Sequence, residues 1–145
     1  TITSLKKHEA YLIKSNKTLN LIGKSTINQI WTRHFLDSAQ VIDLIDKNEK
    51  SIVDIGSGAG FPGLVIAIVA KSRKMPLKIK LIEKSPKKIE FLEEINKKLK
   101  LGVEVINQNI FGKHVRLKDG TFVTRAFKPL KVILELMHNK AESLK

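Results

Sequence analysis

The sequence has 145 residues, of which 42% are hydrophobic and 28% are charged, and this composition predicts one globular domain over residues 1–145. It contains no cysteine, which excludes disulfides, thiolate metal sites and a cysteine nucleophile. The formal net charge of +13 favours a nucleic-acid partner, although the excess of lysine over arginine fits a general compositional bias equally well.

The first half of the chain begins with a predicted helical lead, residues 1–50. Apolar residues spaced by three and four predict helices over residues 5–14 and 25–46. No apolar run approaches the roughly 20 residues that a membrane helix needs, and the first ten residues lack the apolar centre of a signal peptide. We therefore expect a cytoplasmic protein with no membrane partner.

From residue 51 onwards, short apolar strands alternate with helices that begin at Pro62 and Pro86. This alternation predicts an α/β core over residues 51–145, built as a doubly wound parallel sheet. Ser85 suits the N-cap before Pro86, and Gly102 suits the left-handed position that ends the same helix. The predicted strands are residues 52–55, 77–82, 103–106 and 122–126.

The segment IVDIGSGAGFPG, residues 52–63, carries the motif that indicates a ligand. Its glycines follow the first strand and precede a helix, which is where open α/β sheets bind nucleotides. Phe61 stands where a dinucleotide fingerprint requires glycine, so NAD is disfavoured. The pattern that remains, Asp54-x-Gly56-x-Gly58-x-Gly60, is typical of class I S-adenosylmethionine-dependent methyltransferases.

Polar residues after the first three strands are candidates for the rest of a cofactor site. Asp54 can attract the ammonium group of the methionine part or order its water, and Glu83 can accept both ribose hydroxyls. The amides of Asn107, Gln108 and Asn109 can pair with an adenine edge, and Ile110 and Phe111 can pack on its face. Two alternatives stay open: Glu83 as a solvated partner of Lys84 or Lys87, and residues 107–109 as a plain polar turn.

Five blocks of sequence, in order, cover most of the chain. With them the sequence resembles the bacterial small-subunit ribosomal RNA guanine-N7 methyltransferases, also called the glucose-inhibited division protein B family. The blocks are NKTLNLI at 16–22, RHFLDS at 33–38, DIGSGAGFPG at 54–63, LIEKSPKKIEFL at 81–92 and TRAFKPL at 124–130.

This resemblance implies a class I, Rossmann-like fold with strand order 3-2-1-4, bound S-adenosyl-L-methionine, and methyl transfer to N7 of a guanine in the decoding-region loop of 16S rRNA in the small ribosomal subunit. It implies cofactor contacts at Gly56, Phe61, Ile110, Phe111 and Arg125. The family usually has Arg-Ala-Glu at residues 109–111, so a backbone contact is expected there. Family members also continue beyond the TRAFKPL block, so we expect the sequence to be a fragment without the last strands, which leaves strand 122–126 at an uncovered edge.

Guanine N7 carries an in-plane lone pair, so the implied reaction needs alignment of donor and acceptor but no general base. Candidates for positioning the base or the RNA are Asn20, Arg33, His34, Asp37 and Arg125. Two of them have a structural alternative: His34 paired with Asp37, and Arg125 in a salt bridge to Asp54.

Two further expectations concern metals and turnover. His8, His114 and His138 lack the spacing of metal ligands, so we expect no metal. An alternative function is a catalytically silent, methyltransferase-like protein that binds RNA or the ribosome. A small-molecule methyltransferase would leave the charge of +13 and the RHFLDS block without explanation.

Overall fold

A four-stranded parallel sheet forms the centre of the molecule. The computed structural model describes residues 1–112 and 120–142. The strand order is β3-β2-β1-β4, which confirms the predicted order 3-2-1-4. The strands are β1 Ser51–Ile55, β2 Lys78–Glu83, β3 Glu104–Asn107 and β4 Thr121–Val123. The last strand is shorter than predicted: its pairing with β1 ends at Val123, and Ala126, inside the predicted strand, has a left-handed φ of 49°.

The helices that follow the strands begin close to the predicted positions. They are α3 Gly63–Ser72, α4 Pro86–Leu99 and, without a counterpart among the predicted elements, α5 Leu130–Glu142. Ser85 is the N-cap of α4, but its hydroxyl makes no capping bond; its backbone carbonyl accepts the first helical N–H groups instead. At the other end Lys100 is the left-handed C-cap (φ 51°), two residues before the predicted Gly102 (φ 71°).

The helical lead contains one long helix, α1 Ile2–Leu19, followed by irregular turns. The helical conformation predicted over residues 25–46 is found, without a gap, over residues 24–44, but it is not one regular α-helix. The segment is divided into 3₁₀ turns at Lys24–Gln29 and Val41–Leu44, a π-helical turn at Trp31–Leu36, and the short helix α2 Asp37–Gln40. The hydroxyls of Thr26 and Thr32 donate to carbonyls three residues earlier, which competes with regular α-helical bonding.

The two faces of the sheet are covered by different parts of the chain. Ile52, Leu81 and Val123 pack in the larger core, together with α3, α4 and the helical lead. Val53 and Ile82 point to the opposite face, where Leu136 of α5 packs. Because Asp54 lies two residues after Ile52, it points toward α3 and the lead, beneath the loop that follows β1.

Candidate cofactor and substrate site

A cavity of about 500 Å³ opens at the carboxyl ends of the parallel strands. This is the edge at which open α/β sheets bind their ligands. Residues from the helical lead, from the loops after all four strands and from α4 contribute to its wall. They are Leu21, Ile22, Gly23, His34, Gly56, Ser57, Gly58, Ala59, Phe61, Ile82, Glu83, Lys84, Lys88, Gln108, Asn109, Ile110, Phe111, Arg125, Ala126, Phe127 and Lys128.

One wall of the cavity is the glycine loop, residues 56–62. Gly56, Gly58 and Gly60 all have left-handed φ angles, of 73°, 54° and 84°, which residues with a Cβ rarely adopt. The N–H groups of Gly56 and Ser57 donate to the carbonyl of Ile82, at 2.9 and 3.1 Å, and tie the loop to β2. The three glycines therefore allow the turn that brings loop backbone to the cavity wall.

Asp54 supports this loop from below. Its Oδ2 accepts a hydrogen bond from the N–H of Gly63 at 3.0 Å, and its Oδ1 has no partner among the described residues. Burial raises the pKa of this carboxyl to about 7, against the lowering effect of the Gly63 hydrogen bond. Asp54 is fully buried and does not line the cavity, so the structure does not bring it to the place where a direct contact with an ammonium group was predicted.

Glu83 joins the glycine loop to the end of β2. Its Oε2 accepts from the N–H of Gly58 at 3.0 Å, and its Oε1 accepts from the N–H groups of Lys84 and Ser85 at 2.9 and 3.0 Å. The side chain is 8% exposed at the cavity wall. The alternative of a solvated ion pair with Lys84 or Lys87 does not describe this carboxylate, because backbone N–H groups surround it.

The loop after β3 places most of the predicted adenine-side residues at the cavity. Gln108, Asn109, Ile110 and Phe111 line it, whereas Asn107 belongs to β3. Ile110 is buried, while Phe111 is 45% exposed and stacks on Phe127 with ring centroids 5.9 Å apart. The Oδ1 of Asn109 accepts from the N–H of Phe111, so a polar turn describes this segment, and pairing of its amides with an adenine edge stays a prediction.

The opposite wall is built around Arg125, in the segment that follows β4. Its guanidinium donates to Nδ1 of His34 at 3.0 Å and to the carbonyl of Arg33 at 2.8 Å, and it pairs with Asp37 at 3.0 Å. The alternative salt bridge to Asp54 is therefore wrong. Three predicted positioning side chains, those of His34, Asp37 and Arg125, are thus in contact, and Arg33 joins them through its backbone carbonyl while its side chain bonds Gln29. The forked guanidinium of Arg125 makes all three contacts.

His34 is held as the neutral tautomer that carries its proton on Nε2. A guanidinium can only donate, so Nδ1 accepts from Arg125, and Nε2 lies 2.9 Å from the hydroxyl of Thr26. Burial lowers the pKa of His34, and the charge of Arg125 lowers it further. The hydrogen-bond partners are Arg125 and Thr26, so the predicted alternative of pairing with Asp37 is replaced by these two contacts.

A comparison with known proteins shows the family to which the chain belongs. The model described as GidB, rRNA small subunit methyltransferase G, matches residues 1–144. The ribosomal RNA small subunit methyltransferase G of Pelagibacter ubique is 43% identical over 136 residues, and that of Rickettsia felis is 38% identical over 138 residues. The chain belongs to this family. The resemblance seen in the five sequence blocks is confirmed.

The alignments cover nearly all of the chain but only part of these relatives. They include 92% of the chain and 63% of the Pelagibacter protein, and 95% of the chain and 68% of the Rickettsia protein. The chain thus spans about two thirds of the length of the family members it matches.

Solved structures with low sequence identity share the fold. A coclaurine N-methyltransferase bound to N-methylheliamine and SAH is 19% identical, with a TM-score of 0.52 over 71% of this chain and 31% of its own. A mutant of MtNAS in complex with S-adenosylmethionine is 16% identical, with a TM-score of 0.54 over 95% of this chain and 55% of its own. The Rossmann-like methyltransferase fold predicted from the sequence is confirmed.

One candidate from the five sequence blocks lies away from the cavity, and two residues that the sequence did not single out lie at or next to it. Asn20 is the left-handed C-cap of α1 and does not line the cavity. Thr26 and Phe127 were not predicted to take part; the hydroxyl of Thr26 is an ordinary polar feature of a turn, and only the fold brings it to His34. Phe61 was predicted as a cofactor contact, and it lies between the rings of His8 and His34, 5.3 and 5.0 Å from their centroids.

The described ranges, 1–112 and 120–142, contain no group of three or more His, Asp or Glu side chains that could hold a metal ion. Within the same ranges no helix is long and apolar enough to cross a membrane. His114 lies outside the described residues.

Proposed function

We propose that this family member is an S-adenosyl-L-methionine-dependent methyltransferase that acts in the cytoplasm on N7 of a guanine in 16S rRNA, in the decoding-region loop of the small ribosomal subunit. The observation that carries the proposal is the cavity at the strand ends, with the glycine loop and Glu83 on one side and the Arg125 cluster on the other. Membership of the rRNA methyltransferase family supports the substrate class.

The glycine loop and Glu83 are suited to hold the cofactor. A Cβ added at Gly58 would meet nothing closer than the Gly56 carbonyl at 3.8 Å, so the space above this residue is open to a ligand. Each oxygen of Glu83 can accept more than one hydrogen bond, so the carboxylate can receive ribose hydroxyls while it holds the loop. Ile110 offers a buried apolar surface for the adenine ring beside it.

The chemistry asks little of the side chains. S-adenosylmethionine supplies an electrophilic methyl group when bound, and guanine N7 offers a lone pair without losing a proton. No residue therefore has to act as a general base, and the protein's contribution is alignment and exclusion of water. Arg125 and the neutral His34 line the cavity opposite the glycine loop, where a target base could approach the cofactor, and their mutual hydrogen bond fixes both side chains.

The charge around the cavity favours a polyanionic substrate. Lys84, Lys88 and Lys128 line the same cavity as Arg125, and the whole chain carries a formal net charge of +13. Cations at the mouth of a site can bind the phosphates that flank a target base. This arrangement supports RNA over a small neutral substrate.

Transfer of a tritiated methyl group tests the proposal directly. The protein is incubated with labelled S-adenosylmethionine and, in parallel, small ribosomal subunits, naked 16S rRNA or a small-molecule extract. We expect label in rRNA, at N7 of guanine. Cofactor binding without transfer to any of the three would instead indicate the silent RNA-binding alternative, and label only in the extract would indicate a small-molecule enzyme.

A substitution at Glu83 tests the cofactor side. In Glu83→Gln an NH₂ group replaces one carboxylate oxygen, so at least one of the three backbone N–H groups loses its acceptor. The ribose hydroxyls also lose a charged hydrogen-bond acceptor. We expect affinity for S-adenosylmethionine to fall by about 1 to 3 kcal/mol, measured by calorimetry. Glu93→Gln, on the exposed face of α4, is the matched control and should leave affinity unchanged. If Glu83→Gln weakened the free energy of binding by only a few tenths of a kcal/mol, Glu83 would not be a cofactor contact.

A substitution at Arg125 tests the substrate side. Arg125→Lys keeps the charge but replaces the planar fork that reaches His34, Arg33 and Asp37. We expect methyl transfer to small subunits, at fixed salt, to fall about tenfold or more, with a thermal midpoint within a few degrees of the unaltered protein. Arg73→Lys, in an exposed ion pair with Asp43, is the control. Full activity in Arg125→Lys would refute the role.

A further inference from the structure

His8 connects the helical lead to the glycine loop. It lies on α1, is fully buried, and its Nε2 is 3.1 Å from the carbonyl of Ala59. A carbonyl can only accept, so His8 donates from Nε2 and is the neutral tautomer with a bare Nδ1, which has no hydrogen-bond partner among the described residues. The contact joins residues 51 positions apart and reaches the loop from outside the sheet.

The accepting carbonyl belongs to a residue with a glycine on each side. Ala59 stands between Gly58 and Gly60, both left-handed, and glycine torsions are the least restricted in a chain. The loop atoms on either side of Ala59 already have partners in the sheet and in α3. The Gly58 N–H donates to Glu83 of β2, and the Gly60 carbonyl accepts from the N–H of Leu64 in α3. His8 adds a restraint between these two attachments.

The ring of His8 is itself fixed in place. It stacks on Phe61 with an interplanar angle of 20°, and it meets the edge of Phe35 at a centroid distance of 5.3 Å. Phe91 of α4 lies on a third side at 6.2 Å. An aromatic cluster of this kind would accommodate phenylalanine, yet the position holds an imidazole whose Nδ1 is buried without a partner, which costs stability. The hydrogen bond to Ala59 is the feature that a hydrocarbon ring could not supply.

From this geometry we propose that His8 is a positioning residue for the cofactor site, which holds the Ala59 carbonyl so that the glycine loop keeps its binding conformation. The inference rests on the proposed function, since it takes S-adenosylmethionine as the ligand of the loop. A loop that is already ordered before binding loses less conformational entropy when the ligand arrives. His8 does not line the cavity, so its effect reaches the ligand through the loop alone.

Two variants of equal length separate the hydrogen bond from packing. His8→Gln keeps an N–H donor at nearly the same reach, and His8→Met fills similar space without a donor. Leu12→Met, one helical turn later on α1 and equally buried, is the control for disturbance of this core. Binding of S-adenosylmethionine is measured by calorimetry and the thermal midpoint is measured for each variant.

We expect His8→Met to bind about tenfold more weakly, while His8→Gln and Leu12→Met bind within about twofold of the unaltered protein. Equal affinity of His8→Met and His8→Gln would overturn the inference, as would an affinity loss that follows the thermal midpoint across all three variants. If His8→Met does not fold, His8→Phe takes its place in the comparison with His8→Gln. Failure of the unaltered protein to bind S-adenosylmethionine would refute the proposed function instead.

Discussion

The two walls of the cavity are built in different ways. On the glycine-loop wall, the bond from Gly63 to Asp54 joins residues nine positions apart, and Glu83 reaches the loop 25 positions before it. The opposite wall, called here the lead wall, is formed by Arg125 together with Thr26, Arg33, His34 and Asp37 of the helical lead. There Arg125 contacts His34 and Arg33, which lie 91 and 92 positions earlier in the chain. A ligand site on the first wall is therefore largely a property of one β–α–β unit, residues 51–83, whereas the second wall exists only when the whole molecule is folded.

The largest expected effect comes from breaking the loop wall at its base. In Gly63→Ala the new Cβ would lie 2.3 Å from Leu81 and 2.5 Å from Oδ2 of Asp54, both buried. The carboxylate would have to leave the N–H of Gly63 or the strand would have to shift. We expect a loss of about 3 kcal/mol or more in the free energy of unfolding, measured with urea.

Gly23→Ala is the matched control for that loss. Gly23 has a φ of −62°, and an added Cβ would meet only Ser25, at 3.9 Å. We expect its stability to change by less than about 1 kcal/mol. Similar losses in the two variants would mean that Asp54 and Leu81 give way easily, and that the base of the loop is not the rigid element described.

The sequence predicts the glycine-loop wall better than it predicts the lead wall. The alternation of strands and helices and the glycine pattern after β1 are local signals, and they predict the parallel sheet, the loop and the place of Glu83. The strand order is implied only by the family resemblance. The apolar spacing predicts helical structure over residues 25–46 but not its division into 3₁₀, π and α turns, although the threonine bonds found there join residues only three positions apart. The partners of Arg125 depend on tertiary contacts: Asp54 was a candidate from sequence, but it faces α3 and Asp37 is the carboxylate within reach.

The next largest effect is a pH dependence of the free energy of unfolding, and it comes from His8, which contacts both the glycine loop and the helical lead. Burial lowers the pKa of His8 from 6.5 to about 4, against the raising effect of the Ala59 hydrogen bond. As the pH falls from 6.5 toward 4, the unfolded chain binds a proton at His8 and the folded chain does not, so stability falls. His34, across the ring of Phe61, has a lowered pKa and acts in the same direction.

His8→Gln removes one of these two contributions. Between pH 7.5 and pH 4.5, we expect the unaltered protein to lose about 2 to 3 kcal/mol more stability than His8→Gln, measured by urea unfolding at both values. The remaining slope in the variant belongs to His34 and the carboxyl groups. Parallel curves for the two proteins would mean that water reaches His8 and that its proton uptake is not coupled to folding.

The smallest expected effect tests whether the lead wall acts as one unit. Thr26→Val keeps the shape of the side chain but leaves Nε2–H of His34 without its 2.9 Å partner and removes the bond to the Gly23 carbonyl. The expected loss of stability is about 1 kcal/mol, since His34 is only 7% exposed and water can replace the hydroxyl only in part. Thr32→Val, in the same lead and with a hydroxyl that also bonds three residues back, should lose less stability because that side chain is exposed.

A double-mutant cycle tests whether Thr26, His34 and Arg125 form one network. In that case Thr26→Val combined with Arg125→Lys should cost at least about 0.5 kcal/mol less than the sum of the single losses, because either change alone already loosens His34. Additive losses in this double-mutant cycle would show that the two ends of His34 are held independently, and the lead wall would then be a set of separate contacts.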